Sequence, residues 1–354
     1  MPSNRHLSAR SARRPLVQAA TVLAAGSLVL TGCSSSGKSA DAQNAAANGL
    51  TTVTLALDYF PNAEHNGLAY AMQEGLFKKQ GIQVKIVPFA STAAETLVAA
   101  GKADIGFSGN IGSAELTFAS GTAAKAIFTL VPRQQAVVAV MASSGITRPA
   151  QLAGKTYGGY GTPTEAIMIN QMIKDDGGTG TSKQVTLSIG SAQALAAKQV
   201  DAAGLYPDDL YQDQQEGKKV TSWNPSDYGI PDSGGLQVIA TDSWLKANPK
   251  VARGFVAALA EGEKVAIASP TVADAALEKQ FSGINAALTD YVAKYYAKNF
   301  LSNPDGPLGT LNVKTWQAYA DWMIKNGLMV DSAGKKITSF DATSFVTNEY
   351  LPTS

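Results

Sequence analysis

The 354-residue chain has one cysteine, Cys33, and two histidines, His6 and His65. A lone thiol leaves no intrachain disulfide to expect. Beyond Cys33 there is a single histidine and no further cysteine, which excludes His/Cys metal clusters and Cys–His nucleophiles. Neither a GxSxG nucleophile elbow nor a Walker A loop occurs. Gly159-Tyr160-Gly161 begins like a dinucleotide fingerprint, but Thr164 stands where the third glycine belongs. No metal and no cofactor is therefore expected. Charge is also sparse. Four of the 29 basic residues precede Cys33 and none of the 28 acidic ones does, so the remainder is mildly acidic. It has no basic stripe, and nucleic acid is not an expected partner. After Cys33 no apolar run approaches the roughly eighteen residues of a membrane helix.

The N-terminus is the exception to this restraint. Residues 1–14 carry Arg5, Arg10, Arg13 and Arg14 without an acid, and an apolar run follows from Pro15 to Leu30. Residues 1–32 read as a signal peptide, its apolar core too short for a comfortable span and closed by small residues. Leu30-Thr31-Gly32-Cys33 resembles the bacterial lipobox, which implies Cys33 as the lipid-bearing first residue of the mature chain. Arg13-Arg14 resembles a twin-arginine signal, and the export route stays open. Residues 33–50 are small and polar, the composition of a flexible tether to the outer face of a membrane.

From Thr51 onward strand-like and helix-like runs alternate, which argues for an α/β fold with a largely parallel sheet. About 300 residues exceed the size of one core and predict two lobes. The first is expected from residues 51–145 together with 242–354, and the second from 146–241. Late helical runs at 249–268, 270–283, 286–301 and 312–327 have too few strands for a lobe and are expected to pack back onto the first. A short echo links the two units: Asp104 and Asp201 both stand where a helix hands over to a strand.

In open α/β sheets ligands sit beyond the carboxyl ends of strands. Four loops occupy that position. DYFPNAEHNG (58–67) offers Asp58, Tyr59, Asn62 and His65; SGNIG (108–112) offers Ser108 and Asn110; YGTPTE (160–165) offers Tyr160, Thr162 and Glu165; YPDD (206–209) offers Tyr206 and Asp209. Thr162-x-x-Glu165 also has the spacing of a capping box, with Pro163 at the first helical position. Glu165 thus has two readings, helix cap and cleft wall. These loops hold aromatic faces and acceptors but neither lysine nor arginine. An anion would want cations or unopposed helix N-termini. A flat, neutral or weakly cationic ligand with amino donors, stacked between rings, fits better.

The stretches LDYFPNAEHNGLAYAMQEGLFKKQGIQV, YGGYGTPTEA, VDAAG and the terminal TNEYLP are similar to motifs of one family. It contains bacterial thiamine-pyrimidine-precursor binding proteins and the fungal thiamine pyrimidine synthase. The resemblance spans about residues 52–352. It implies the type II periplasmic-binding-protein fold, two α/β lobes around a cleft, and a monomer serving an ABC permease and its ATPase. It also implies ligand contact for Asp58, Tyr59, Asn62, His65, Tyr160 and Glu165. The ligand implied is a thiamine pyrimidine precursor; riboflavin, or a sulfonate or nitrate, are the alternatives. Many relatives have tryptophan where Tyr59 and Tyr160 stand. The fungal enzyme consumes a histidine that His65 matches, but its cysteine-rich run has no counterpart in SGGLQVIAT, and binding is expected rather than synthesis.

Overall fold

The computed structural model describes residues 49–353 apart from Ser91, Tyr160, Ser188 and Ile189. The expected leader, Cys33 and nearly all of the tether lie outside the described residues, as does Tyr160.

Ten strands form two sheets of one design among the described residues. The first sheet contains β1 (Thr51–Ala56), β2 (Ile82–Val87), β3 (Ile105–Ser108), β4 (Ala124–Thr129) and β10 (Gln237–Thr241). The second contains β5 (Val137–Met141), β6 (Thr156–Gly159), β7 (Lys183–Thr186), β8 (Ala202–Leu205) and β9 (Val220–Trp223). Their orders are β2-β1-β3-β10-β4 and β7-β6-β8-β5-β9. In each, the middle strands run parallel, and one antiparallel strand is inserted between the third and fourth in chain order.

Sheet membership departs from the expected boundaries at these two inserts. β5 lies within 51–145 yet joins the second sheet, and β10 lies within 146–241 yet joins the first. Local alternation of apolar residues marks a strand but does not say which sheet completes its hydrogen bonds. The chain therefore crosses between sheets within 130–136 and again within 224–236. The crossings are tied together: Leu130 and Val131 N–H donate to the Leu236 carbonyl at 2.9 and 3.2 Å, and Gly235 N–H donates to Val131 at 2.8 Å.

Helices α1 (Asn66–Gln73), α2 (Leu76–Lys79), α3 (Ala94–Ala99) and α4 (Ile111–Ala119) belong to the first unit. The second holds α5 (Pro163–Asp175), α6 (Ser191–Ala196) and α7 (Pro207–Gln215). The C-terminal helices are α8 (Asp242–Ala247), α9 (Pro249–Ala268), α10 (Pro270–Gln280), α11 (Ala286–Asn299) and α12 (Val313–Lys325). The apolar segment 67–81, readable as one helix, breaks at Gly75, whose φ of 65° is open to glycine and costly for most residues. Of the late helices, α9 packs onto the first sheet, where Phe255 and Leu259 share a buried core with Leu55, Phe107 and Leu236; Trp316 and Met323 of α12 share one with Val138 and Ile169 of the second unit. Helices α1 and α9 touch backbone to backbone, since a Cβ on Gly262 would lie 2.1 Å from the Gly67 carbonyl oxygen. No helix among the described residues is long and apolar enough to cross a membrane.

The aspartate echo has a physical basis. Asp104 Oδ2 accepts from the Thr54 amide at 2.8 Å and the Thr54 hydroxyl at 2.6 Å, while its own N–H reaches Thr54 Oγ1 at 3.0 Å. Asp201 does the same with Thr156, at 2.8, 2.8 and 3.0 Å. Each clamp ties the first of its sheet's three parallel strands to the entry of the third. The bonds to Thr156 hold the Asp201 carboxyl below its ordinary 3.8. Its stabilising effect is therefore present above pH 3.8 and lost as pH falls through the lowered value. Asp201→Asn is expected to cost about 1–3 kcal/mol at neutral pH. In urea denaturation the gap from wild type should close on acidification; a gap that stays constant would refute the clamp.

Candidate functional site

Three parallel strands each hand over to a helix at the same edge, and each handover is capped. After β3, Asn110 Oδ1 accepts from Ser113 N–H at 2.9 Å and starts α4. After β6, Thr162 Oγ1 accepts from Glu165 N–H at 3.3 Å, and Glu165 Oε2 accepts from the Thr162 amide at 3.0 Å, forming the expected capping box of α5. After β8, Asp209 Oδ2 accepts from the Tyr206 amide at 3.0 Å at the start of α7. Short polar side chains are favoured at these points because the first helical amides have no intrahelical acceptor.

Asn110, Thr162, Glu165 and Tyr206 all line one cavity of about 790 Å³. The rest of its wall includes the crossing segments (Gln134 to Ala136 and Ser233 to Gly235), Val137 and Val138 of β5, Tyr157 and Met168, and Tyr319 and Met323 on α12. Tyr319 packs over Gly112, where a Cβ would come within 2.6 Å of the ring, and burial pushes its phenol up. Glu165 folds back over the end of β6, its Oε1 only 2.4 Å from where a Cβ on Gly159 would stand. Among the described lining residues there is no lysine, arginine or histidine, and Glu165 is the sole carboxylate. Dipoles of three helix N-termini meet here. Two are countered by acids in the first turn, Glu165 on α5 and Asp208 with Asp209 on α7, and that of α4 is not. Burial pushes Asp209 up to about 6.

The structure brings four of the sequence-derived candidates to the cavity wall and holds the other described ones behind or beside it. His65 is fully buried and lies parallel to Phe107, centroids 6.0 Å apart. Its Nδ1 accepts from the Asn62 amide at 3.2 Å, so the proton is on Nε2, which donates to Asp58 Oδ1 at 3.0 Å. Asp58 in turn stands behind Gly109 of the wall, its Oδ2 at 3.8 Å from that glycine's missing Cβ. Asn62 caps the turn Ala63–His65 by accepting from Glu64 N–H at 2.8 Å. Ser108 is buried and donates to Glu95 at 2.5 Å. Tyr59 and Phe60, 48 % and 58 % exposed, form a three-ring cluster with Phe89 outside the wall. Sequence reading missed Gln134, Gln135, Tyr157 and Tyr319. The crossings could have been sought between β4 and β5, but nothing local marks Tyr319.

Among the described residues no three His, Cys, Asp or Glu side chains are grouped so as to hold a metal ion. Comparison with known proteins places this geometry among similar ones. A formylaminopyrimidine-binding protein of Halalkalibacterium halodurans is 26 % identical over 308 residues, covering 84 % of this chain and 91 % of its own. The alkanesulfonate-binding protein SsuA from Xanthomonas axonopodis pv. citri, solved with MOPS bound, superposes with a TM-score of 0.62. It is 16 % identical over 84 % of this chain and 98 % of its own. A Candida albicans protein described as having the generic periplasmic-binding-protein fold gives a TM-score of 0.61 at 16 % identity, covering 86 % and 99 %. The fold is thus the type II periplasmic-binding-protein fold that the motifs implied. Residues 62–273 match the family described as NMT1/THI5 like, more than half of the sequence, and the chain belongs to that family.

Proposed function

We propose that this protein is an extracytoplasmic solute-binding lipoprotein of an ABC importer, capturing an aromatic nitrogen heterocycle of the thiamine pyrimidine precursor type. The observation that carries the reading is a cavity whose described lining residues include no cation but several tyrosines and one carboxylate anchored at a helix start. A carboxylate so placed accepts from amino or ring N–H donors, and the aromatic walls suit a flat ring. The same wall disfavours sulfonate or nitrate, because Glu165 repels an anion and among the described lining residues only the unopposed start of α4 would attract one. The volume of about 790 Å³ lies in the ordinary range of ligand cavities and would also admit a riboflavin-sized ring system. The name of the Halalkalibacterium relative supports the pyrimidine. Binding rather than synthesis is favoured because the one histidine of the motif is locked between Asn62 and Asp58. The anchor on Cys33 and the partnership with a permease and its ATPase rest on the sequence motifs.

Glu165→Gln separates the two roles of this side chain. The amide can still cap, so stability should fall by at most about 1 kcal/mol. Affinity for hydroxymethylpyrimidine should fall about ten- to a hundredfold, the worth of a charge-assisted hydrogen bond in a desolvated site. Calorimetry beside melting curves measures both. Equal affinities would leave Glu165 as a cap alone, and an alkanesulfonate bound more tightly by the variant would replace the pyrimidine reading.

Cys33→Ser tests the anchor. Two acyl chains on a lipobox cysteine give stable attachment where one is marginal, so the variant should move from the membrane fraction to the soluble one. Retention in membranes would sink the lipoprotein assignment.

A further inference from the structure

Gln135 lies in the first crossing segment, 6 % exposed, and lines the cavity together with Gly235 of the second. Its side-chain nitrogen has no hydrogen-bond partner among the described residues. It packs so closely on Gly235 that a Cβ there would come within 2.7 Å of it. The other end of the amide is engaged, because Tyr296 O–H lies 3.1 Å from Gln135 Oε1. A buried donor without an acceptor is costly and seldom left unanswered in a native protein. The nitrogen is itself covered, and the space beside it is the cavity that Gln135 and Gly235 both line.

The orientation of this amide has its own cause. Tyr296 has one phenolic proton but stands between two oxygens, Glu64 Oε1 at 2.7 Å and Gln135 Oε1 at 3.1 Å. Both contacts are hydrogen bonds at once only if Glu64 is protonated and donates to the phenol oxygen, while the phenol donates onward to Gln135. When Glu64 ionises, the phenol turns its proton to the carboxylate and shows Gln135 a lone pair. The amide then gains by reversing, with its nitrogen toward Tyr296 and its oxygen toward Gly235.

We propose that Gln135 is a specificity-determining donor of the binding cavity, giving its Nε2 proton to an acceptor atom of the ligand. Tyr296 and Glu64 are the positioning residues that hold the amide this way round. The proposal rests on the binding reading above and adds the other half of the ligand's chemistry: Glu165 takes donors, and Gln135 serves a ring nitrogen or carbonyl oxygen. Burial and the Asp58 carboxylate push Glu64 up to about 7. The groups facing it are Asp58 from the loop after β1, His65 on its own turn, Tyr296 from α11 and Asp208 from α7. Two further acids lie near this turn: Asp274 of α10 is directed at Asn66 and Thr289, and Glu263 of α9 packs against Gly67. The donor orientation therefore belongs to the protonated side, and affinity falls as pH rises through neutrality.

The test is calorimetry with hydroxymethylpyrimidine from about pH 5.5 to about pH 8.5 on wild type, Gln135→Leu, Tyr296→Phe and Glu64→Gln, with melting curves for each. Gln135→Leu should bind about tenfold or more weakly at the acid end, and Tyr296→Phe should fall between it and wild type. Glu64→Gln mimics the protonated acid. It should match wild type at low pH and bind about tenfold better at high pH, the ligand's own titration being common to both. Wild-type affinity in Gln135→Leu, or parallel pH profiles for wild type and Glu64→Gln, would overturn the proposal. If wild type itself ignores the pyrimidine, the binding reading fails instead. The side-chain amide signal of Gln135 in ligand-free protein then decides the inference. It should move with pH in wild type and stay fixed in Glu64→Gln, and a signal fixed in both overturns it.

Discussion

The capping of three helices at one edge is the constraint on which the rest of the molecule turns. A parallel strand delivers its chain at the carboxyl end, and a helix starting there has amides that need acceptors. Asn110, Thr162 with Glu165, and Tyr206 with Asp209 answer that need, and in doing so they place polar side chains around a common space. Local stability and the cavity wall are thus built from the same atoms. Glu165 shows the economy of this arrangement, because the carboxylate that closes the helix is held still by the bond that makes it a cap.

Electrostatics around the cavity follow from the same choice. Acids in the first turns of α5 and α7 cancel the positive ends of their helices, and no cation among the lining residues restores them. Behind the wall lies more acid: Asp58, Glu64, Asp208 and Asp209, three of them pushed upward chiefly by burial. In a fold whose solved neighbours include an alkanesulfonate binder, the described lining residues here hold one carboxylate and no cation. The fold sets where the cavity is, and a few side chains set what enters it.

Features governed by neighbours in sequence were legible before the structure. The Thr162–Glu165 box is local, so its spacing announced it. The Asp104 and Asp201 echo could be seen as pattern, although its meaning needed the two threonines that receive it, about fifty residues upstream of Asp104 and forty-five of Asp201. What depended on distant contact was not legible. Sheet membership of β5 and β10 is settled by partners elsewhere in the chain. Gln135 reads as an ordinary loop glutamine until Tyr296 and Gly235 surround it. His65 looked like a cleft residue because its motif lies in a cleft loop, yet its two bonds and its stacking on Phe107 turn it inward. The segment 67–81 kept a helical rhythm across Gly75, and periodicity does not register a single left-handed residue.

The exchange of antiparallel strands between the sheets has a consequence for how the chain reaches this structure. The first sheet is not complete from its own stretch of chain: β4 remains an unpaired edge beside a gap until β10 arrives more than a hundred residues later. Closing such long loops is slow, and strands awaiting distant partners are exposed in the meantime. The last strand to be synthesised is also the one that fills the first sheet. A nascent chain therefore has every strand of its second sheet, residues 137–223, in hand before the first sheet can close, which must wait until residue 241 has emerged.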